Sequence, residues 1–139
     1  MKSRNLTVHT DAASRGNPGP SSIAYCIKDS SGKILEEKGK YIGKGTNNTA
    51  EYKAMVAALG AASKYSSGEV RVFSDSQILV RQMNGKYKVK AKHLKDLFQD
   101  AKQKQKKFKR VTYNHLPRED PEISKMDRLA NKVLDLEGK

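Results

Sequence analysis

The chain has few of the residues that build several common kinds of site. It carries a single cysteine, Cys26, in 139 residues, which excludes an intramolecular disulfide and a cysteine-based zinc site. Tryptophan is absent, and the aromatics are six tyrosines and three phenylalanines. No stretch approaches the roughly 18 consecutive apolar residues of a membrane span. Met1-Lys2-Ser3-Arg4-Asn5 runs straight into a short apolar alternation, without the apolar segment of a secretory leader. Internal repeats and low-complexity linkers are lacking too. Acidic charge is the scarcest resource: 15 aspartates and glutamates face 28 lysines and arginines, a formal net charge of +13. With 36% hydrophobic residues the chain can still build one sizeable core. These shortages lead us to expect one soluble domain spanning 1–139, cytoplasmic and monomeric, with no membrane and no obligate protein partner.

The positive excess is unevenly placed. Residues 1–80 hold 11 basic and 7 acidic side chains, residues 81–118 hold 13 and 2, and residues 119–139 hold 4 and 6. Most of the excess therefore lies between Arg81 and Arg110, through Lys86, Lys88, Lys90 and Lys92. Such a stretch gains affinity for a phosphate backbone by releasing condensed counterions. Lysines outnumber arginines 21 to 7, which favours sequence-independent contact over base reading by bidentate arginine.

Apolar periodicity gives an α/β chain in the order βββαβααβα. Leu6-Thr7-Val8-His9-Thr10 alternates as a half-buried strand, and 23–27 reads as a buried one. A turn at 29–33 leads to a more polar third strand over 34–42, expected near an edge. A Gly43-Lys44-Gly45 loop precedes a long helix over 49–64. Val70-Arg71-Val72-Phe73 is a fourth strand, followed by helices over 76–83 and 92–106, a strand over 111–115 and a last helix over 123–136. A meander followed by alternating helices and strands implies one five-stranded mixed sheet with helices on both faces.

Four carboxylates stand out: Asp11 and Asp75 after strands, Glu51 in the first turn of the long helix, and Asp127 early in the last one. Each also has an ordinary structural reading. Asn48-Thr49-Ala50-Glu51 matches a capping box, Asp75 can cap the helix behind it, and Asp11 can close an Asx-turn. For the last helix, Ser124-Lys125-Met126-Asp127 reads as a start, although Asp120-Pro121-Glu122 is the better one. Their joint placement is the stronger signal. If the first and fourth strands are parallel neighbours, all four gather at one strand-end edge, where ligand sites form. Clustered carboxylates repel unless a cation sits among them, and hard oxygen ligands suit Mg²⁺ that also binds phosphate. Two such ions favour in-line phosphoryl displacement.

Four blocks then resemble ribonuclease H type 1. Residues 10–20, TDAASRGNPGP, are similar to its first motif; Thr46-Asn47-Asn48-Thr49-Ala50-Glu51 resembles TNNxxE; Ser74-Asp75-Ser76-Gln77 resembles [ST]DSQ; and His115 with Met126-Asp127-Arg128-Leu129-Ala130-Asn131 resembles the closing segment. The resemblance spans nearly the whole chain. It implies an RNase H-like fold and an endonuclease that cuts the RNA strand of an RNA–DNA hybrid with two Mg²⁺ ions (Mn²⁺ as a substitute), leaving 5′-phosphate and 3′-hydroxyl ends. It implies that Asp11 bridges the ions, Glu51 and Asp75 hold one, and Asp127 holds the other. It also places Ser14, Gly16, Asn17, Thr46, Asn47, Asn48, Ser76 and Gln77 against the hybrid, with Thr46 near a DNA phosphate. Free N–H donors at the start of the long helix are expected to help there.

Two positions depart from the family pattern. Many members place a histidine ten residues before the last aspartate, where this chain has Pro117. His115 and Arg118 flank that position, and Arg118 is expected to contact the scissile phosphate unless it pairs with Glu119 or Asp120. The tryptophan-bearing basic protrusion of many bacterial members is replaced by a short connector carrying Lys86, Lys88 and Lys90, as in compact archaeal members. Residues 102–110 are expected to compensate in hybrid binding. A catalytically silent hybrid- or dsRNA-binding module has no use for four carboxylates facing phosphate. The start at Met1 and a self-contained pattern favour a free-standing enzyme over the nuclease domain of a reverse transcriptase.

Overall fold

The computed structural model describes residues 4–139. Met1, Lys2 and Ser3, on which the reading of the N-terminus partly falls, lie outside the described residues. The elements are β1 (Leu6–Ser14), β2 (Gly19–Asp29), β3 (Ile34–Gly45), α1 (Asn47–Ala62), β4 (Glu69–Ser74), α2 (Gln77–Met83), α3 (Lys92–Gln105), β5 (Arg110–His115) and α4 (Pro121–Leu136). They form one sheet in the order β3-β2-β1-β4-β5. β1, β2 and β3 pair antiparallel, while β1, β4 and β5 run parallel. The polar third strand is indeed at an edge. Among the described residues no helix is long and apolar enough to cross a membrane.

Period-two alternation assigns the two faces of the sheet. Leu6, Val8, Ile27, Val70 and Val72 meet Met55 and Leu59 of α1 in the larger core, to which α2 and α3 contribute Leu79, Met83 and Leu94. The opposite face is made of small residues. Ala24 and Cys26 pack on Met126 and Ala130 of α4, and a Cβ at Gly39 would stand 2.8 Å from Val133. Ser22 Oγ donates to Ala130 O at 2.5 Å. Small side chains thus let α4 lie close to the sheet, which fixes where its polar edge points. Burial pushes the Cys26 thiol up to about 11, so it belongs to the core and not to any chemistry.

Boundaries differ from the sequence reading chiefly where strands pair, and β2 starts at Gly19 rather than Ile23 because it pairs with β1 and β3 along that stretch. β1 does not end at Thr10, because Ala12, Ala13 and Ser14 continue to pair with Ile23, Ser22 and Ser21 of β2. Gly43-Lys44-Gly45 is strand and not loop: a register shift between Ser21 and Ser22 absorbs one residue of β3, with Gly43 at φ +82° supplying the left-handed kink. α1 starts at Asn47 with Thr46 as its N-cap. Asp120 caps α4 through the amides of Glu122 and Ile123, and Pro121 occupies the first helical position, as read.

Candidate active site

The parallel pairing of β1 and β4 brings two carboxylates to one end of the sheet. Asp11 lies inside β1, on the α4 side, and Asp75 is the first residue beyond β4. α1 supplies Glu51 from its second turn. Carboxylate oxygens of Asp11, Glu51 and Asp75 all lie within 4.8 Å of one another. α4 contributes Asp127 to the wall of the same cleft, about 400 Å³ in volume. Asp127 stands outside the tight group of three, and its charge still acts on Asp11.

None of the four carboxylates takes the ordinary structural role open to it. The capping box at the start of α1 is made by Thr46 and Thr49, each hydroxyl accepting from the other's amide at 3.2 and 3.0 Å. Glu51 is therefore no cap. α2 is capped by Ser76, whose Oγ accepts from Leu79 N, so Asp75 is no cap either. Asp11 closes no turn because it sits in a continuous strand.

The electrostatics are those of crowded, desolvated acids. Asp11 is 3% exposed. Burial first, then the charges of Asp75 and Asp127, push its carboxyl up to about 8 against an opposing hydrogen bond from the Ala12 backbone. Glu51 is raised well above the carboxylate range by burial and by Asp11 and Asp75, with Arg118 opposing. Its Oε1 is enclosed and has no hydrogen-bond partner. A buried acceptor without a donor costs free energy, and a divalent cation coordinated by these oxygens would remove both that cost and the mutual repulsion. The residues fit such an ion.

The cleft lining includes Ser14, Asn47, Asn48, Ser76 and Arg118. Arg118 does not pair with Glu119 or Asp120. Its Nε stands 4.0 Å from Asp75 Oδ2 while the side chain stays 84% exposed, so the guanidinium overhangs the carboxylates. Ser124 Oγ donates to Arg118 O and steadies the loop. His115, paired with Ser74 at the end of β5, is exposed and not part of the lining. Gly16 (φ +105°) and Asn17 form the exposed turn between β1 and β2, and Asn17 Oδ1 accepts from Asn47 N at 3.0 Å. Gln77 opens α2, exposed beside the cleft wall.

The expectation of several free donors at the start of α1 is corrected. Asn47 N is taken by Asn17, and the amides of Thr46, Thr49 and Ala50 by the Thr46–Thr49 cap. Asn48 N alone in that turn has no protein partner among the described residues. Thr46 Oγ1 is likewise engaged in the cap.

Lys86 and Lys88 are exposed on the connector between α2 and α3, which contains no helix. They border a separate groove of about 450 Å³ with Ile78, Gln82, Tyr87 and Lys90. Tyr87 is fixed there by Arg81, which donates to its hydroxyl at 2.6 Å and stacks at 5.3 Å. The basic run at 102–110 does not border the cleft. Arg110 pairs with Glu69 at the start of β4, the opposite end of the sheet, because β5 is parallel to β4.

Asn131, which stands in the closing segment without a role in the sequence reading, bonds a site carboxylate. Asn131 Nδ2 donates to Asp127 O at 2.9 Å and to Asp127 Oδ1 at 3.2 Å. Arg15 in turn donates to Asn131 O at 3.2 Å and pairs with Asp135 at 2.7 Å. The signal was the four-residue spacing of Asp127, Asn131 and Asp135 on one helix face.

Residues 9–133 match the family described as reverse transcriptase-like. The chain is 36% identical over 125 residues to ribonuclease HI of Halobacterium salinarum, covering 90% of this chain and 62% of that protein. It is 36% identical over 131 residues to a bifunctional protein of Mycobacterium tuberculosis, covering 94% of this chain and 35% of that protein. The chain thus spans about a third to three-fifths of the length of these relatives. Among solved structures, LC11-RNase H1 in complex with an RNA/DNA hybrid superposes with a TM-score of 0.89 at 36% identity, covering 96% of this chain and 99% of that one. The N-terminal RNase H domain of the Mycobacterium tuberculosis protein, solved as a fusion, gives 0.88 at 35% identity, covering 94% and 99%.

Proposed function

The chain belongs to the ribonuclease H type 1 family, and on that premise we propose that it is an endonuclease hydrolysing the RNA strand of RNA–DNA hybrids. The observation that carries the reading is the enclosed, partnerless Glu51 Oε1 beside the Asp11 and Asp75 oxygens. Three carboxylates crowded around that unmatched acceptor favour a cation over a ligand without charge. Asp11, Glu51, Asp75 and Asp127 would hold the metal ions. Two Mg²⁺, with Mn²⁺ as a substitute, would supply Lewis acidity for an in-line displacement leaving 5′-phosphate and 3′-hydroxyl ends.

The chain's own residues do the rest. Asn131, braced by Arg15, holds the Asp127 carboxylate toward the cleft. Arg118 overhangs Asp75 with most of its side chain in solvent, placed to meet the scissile phosphate as a fixed positive charge. Asn17, Asn47, Asn48 and Gln77, with Ser14, Gly16 and Ser76, would present polar groups for the hybrid around the cleft mouth, and Thr46 would fix the helix start beneath them through its cap. The RNA strand would be told from DNA by its 2′-hydroxyls. Lys86 and Lys88 would track the partner strand's phosphates without reading sequence. The same proposal takes 1–139 as one domain, monomeric and cytoplasmic, acting without an obligate protein partner.

Labelled hybrid, dsRNA, ssRNA and dsDNA are to be incubated with the chain and with Asp11→Asn, with Mg²⁺ and with chelator. The expected result is cleavage of the RNA strand of the hybrid by the unsubstituted chain with Mg²⁺ alone. Equal cleavage by Asp11→Asn, or cleavage in chelator, would overturn the reading.

A further inference from the structure

At the end of the sheet remote from the cleft, α3 stops and β5 starts, and the turn between them with the first residue of β5 carries Lys106, Lys107, Lys109 and Arg110, all exposed. Phe108, 7% exposed, anchors the turn in the core. The backbone is held on both sides of that anchor. Lys106 N and Lys107 N close on Gln103 O and Lys104 O, and Lys109 N donates to Ser67 O at 2.8 Å and Gly68 O at 3.1 Å. Arg4 joins the same end, its Nε donating to Tyr65 O at 3.1 Å. Among the described residues no ion pair engages any of the four turn cations. Asp100 is already taken by Lys104, and Glu69 lies across the strand pair from Arg110 without bonding it.

Helix-end stabilisation accounts for Lys102 and Lys104 in the last turn of α3, but Lys109 and Arg110 lie beyond the helix. Like charges gathered on a rigid turn repel, and the arrangement gains only when an anion sits across them. Arg110 is five residues of parallel strand from His115, roughly 17 Å at about 3.3 Å per residue, and the cleft lies past that end. The turn therefore lies outside the cleft lining, at the other end of the strand that leads to it. No exposed large apolar residue accompanies the cations, since Phe108 is buried and the exposed ones are Ile34, Ile78, Tyr87 and Leu136; a membrane-surface site needs such a residue to insert.

We propose that this turn is a second, sequence-independent contact for the sugar–phosphate backbone of duplex nucleic acid, engaging another duplex segment while the cleft holds its own. On a long substrate the two sites act bivalently and raise the local concentration of hybrid at the cleft. Lysine in place of arginine at three of the four positions suits a contact that reads charge and not bases.

Native mass spectrometry at low salt, in chelator, counts hybrids about one helical turn long bound per chain. The expected count is two for the unsubstituted chain, one for the combined Lys106→Gln, Lys107→Gln, Lys109→Gln and Arg110→Gln variant, and two again when the three lysines become arginine. On a long hybrid, the salt slope of log Kobs for the glutamine variant falls by about 3 to 4, near 0.9 for each phosphate no longer neutralised. Its kcat on the short hybrid stays unchanged. A count of one for the unsubstituted chain, a count of two for the glutamine variant, or phosphatidylserine vesicles bound through these residues where duplex is not would each overturn the proposal. Because binding is read without metal, its failure is separate from any failure of the cleavage reading.

Discussion

The two ends of the sheet handle charge in opposite ways. At the cleft end, β1, β4 and α1 draw Asp11, Glu51 and Asp75 within 4.8 Å of one another against their own repulsion, with Asp11 and Glu51 withdrawn from water. At the far end, exposed cations stand on a turn pinned by Phe108, fully solvated and unpaired. The contrast teaches which job needs which environment. Chemistry on a phosphodiester needs charge that is desolvated, crowded and waiting for a counter-charge. Holding a polyanion needs only charge that is exposed and held in place.

The comparison breaks most violently at Asp11. Replacing it with asparagine should lower kcat on hybrid about a thousandfold or more, while raising the melting temperature of the metal-free protein, because one repelling buried acid is gone. The pH dependence follows the same logic. Asp11 binds its proton up to about pH 8 in the folded chain, against 3.8 as its ordinary value. Between those values the folded state holds more protons than the unfolded one, so metal-free stability should fall as pH rises through that window. Glu51 acts in the same direction. Urea midpoints measured from pH 4 to 8 in chelator check this, and a flat profile would contradict it.

Asn131→Ala tests whether the cleft end depends on bracing as well as on acids. Loss of a group that orients a ligating carboxylate typically costs 10- to 100-fold in affinity or activity, so about that loss of activity is expected, with a higher Mg²⁺ requirement and partial rescue by Asn131→Gln. Arg118→Ala should cost about tenfold in kcat, a charge-assisted contact to phosphate being worth roughly 1.5 kcal/mol or more. His115→Ala, outside the cleft lining, should leave kcat unchanged. If Arg118→Ala matches the unsubstituted chain, the overhanging guanidinium has no part in turnover.

The smallest expected effect lies between the two ends, on β3. Glu36 accepts from the hydroxyls of Tyr25 and Tyr65 at 2.6 and 2.7 Å, which hold its carboxyl down to about 2. Its contribution is present above about pH 4.5 and is lost as pH falls toward 2. Glu36→Gln should therefore flatten the acid limb of the stability profile and leave activity at neutral pH untouched.

The element order, the edge position of the third strand and three of the four acids were legible because each rests on local pattern, while Asp11 was read just past a strand that in fact continues through it. What escaped reading depends on contacts between distant residues. Asn48 looks like the cap in one dimension, and in three the Thr46–Thr49 pair closes the box. β1 outlasts its apolar alternation because β2 offers a partner as far as Ser14. The run at 102–110 reads as one patch with the connector lysines until β5 carries its end to the opposite pole. Asn131 stands in the closing segment, but its contact with the Asp127 carboxylate is visible only in three dimensions.

The most direct test of the central claim, that the cleft keeps buried acids protonated until a divalent cation replaces the protons, is the titration of the Asp11 carboxyl carbon by NMR with and without Mg²⁺. The account predicts a midpoint near pH 8 in chelator and a shift to markedly lower pH when Mg²⁺ is added. An Asp11 that titrates in the ordinary carboxylate range without metal, or that does not move on adding Mg²⁺, would contradict it.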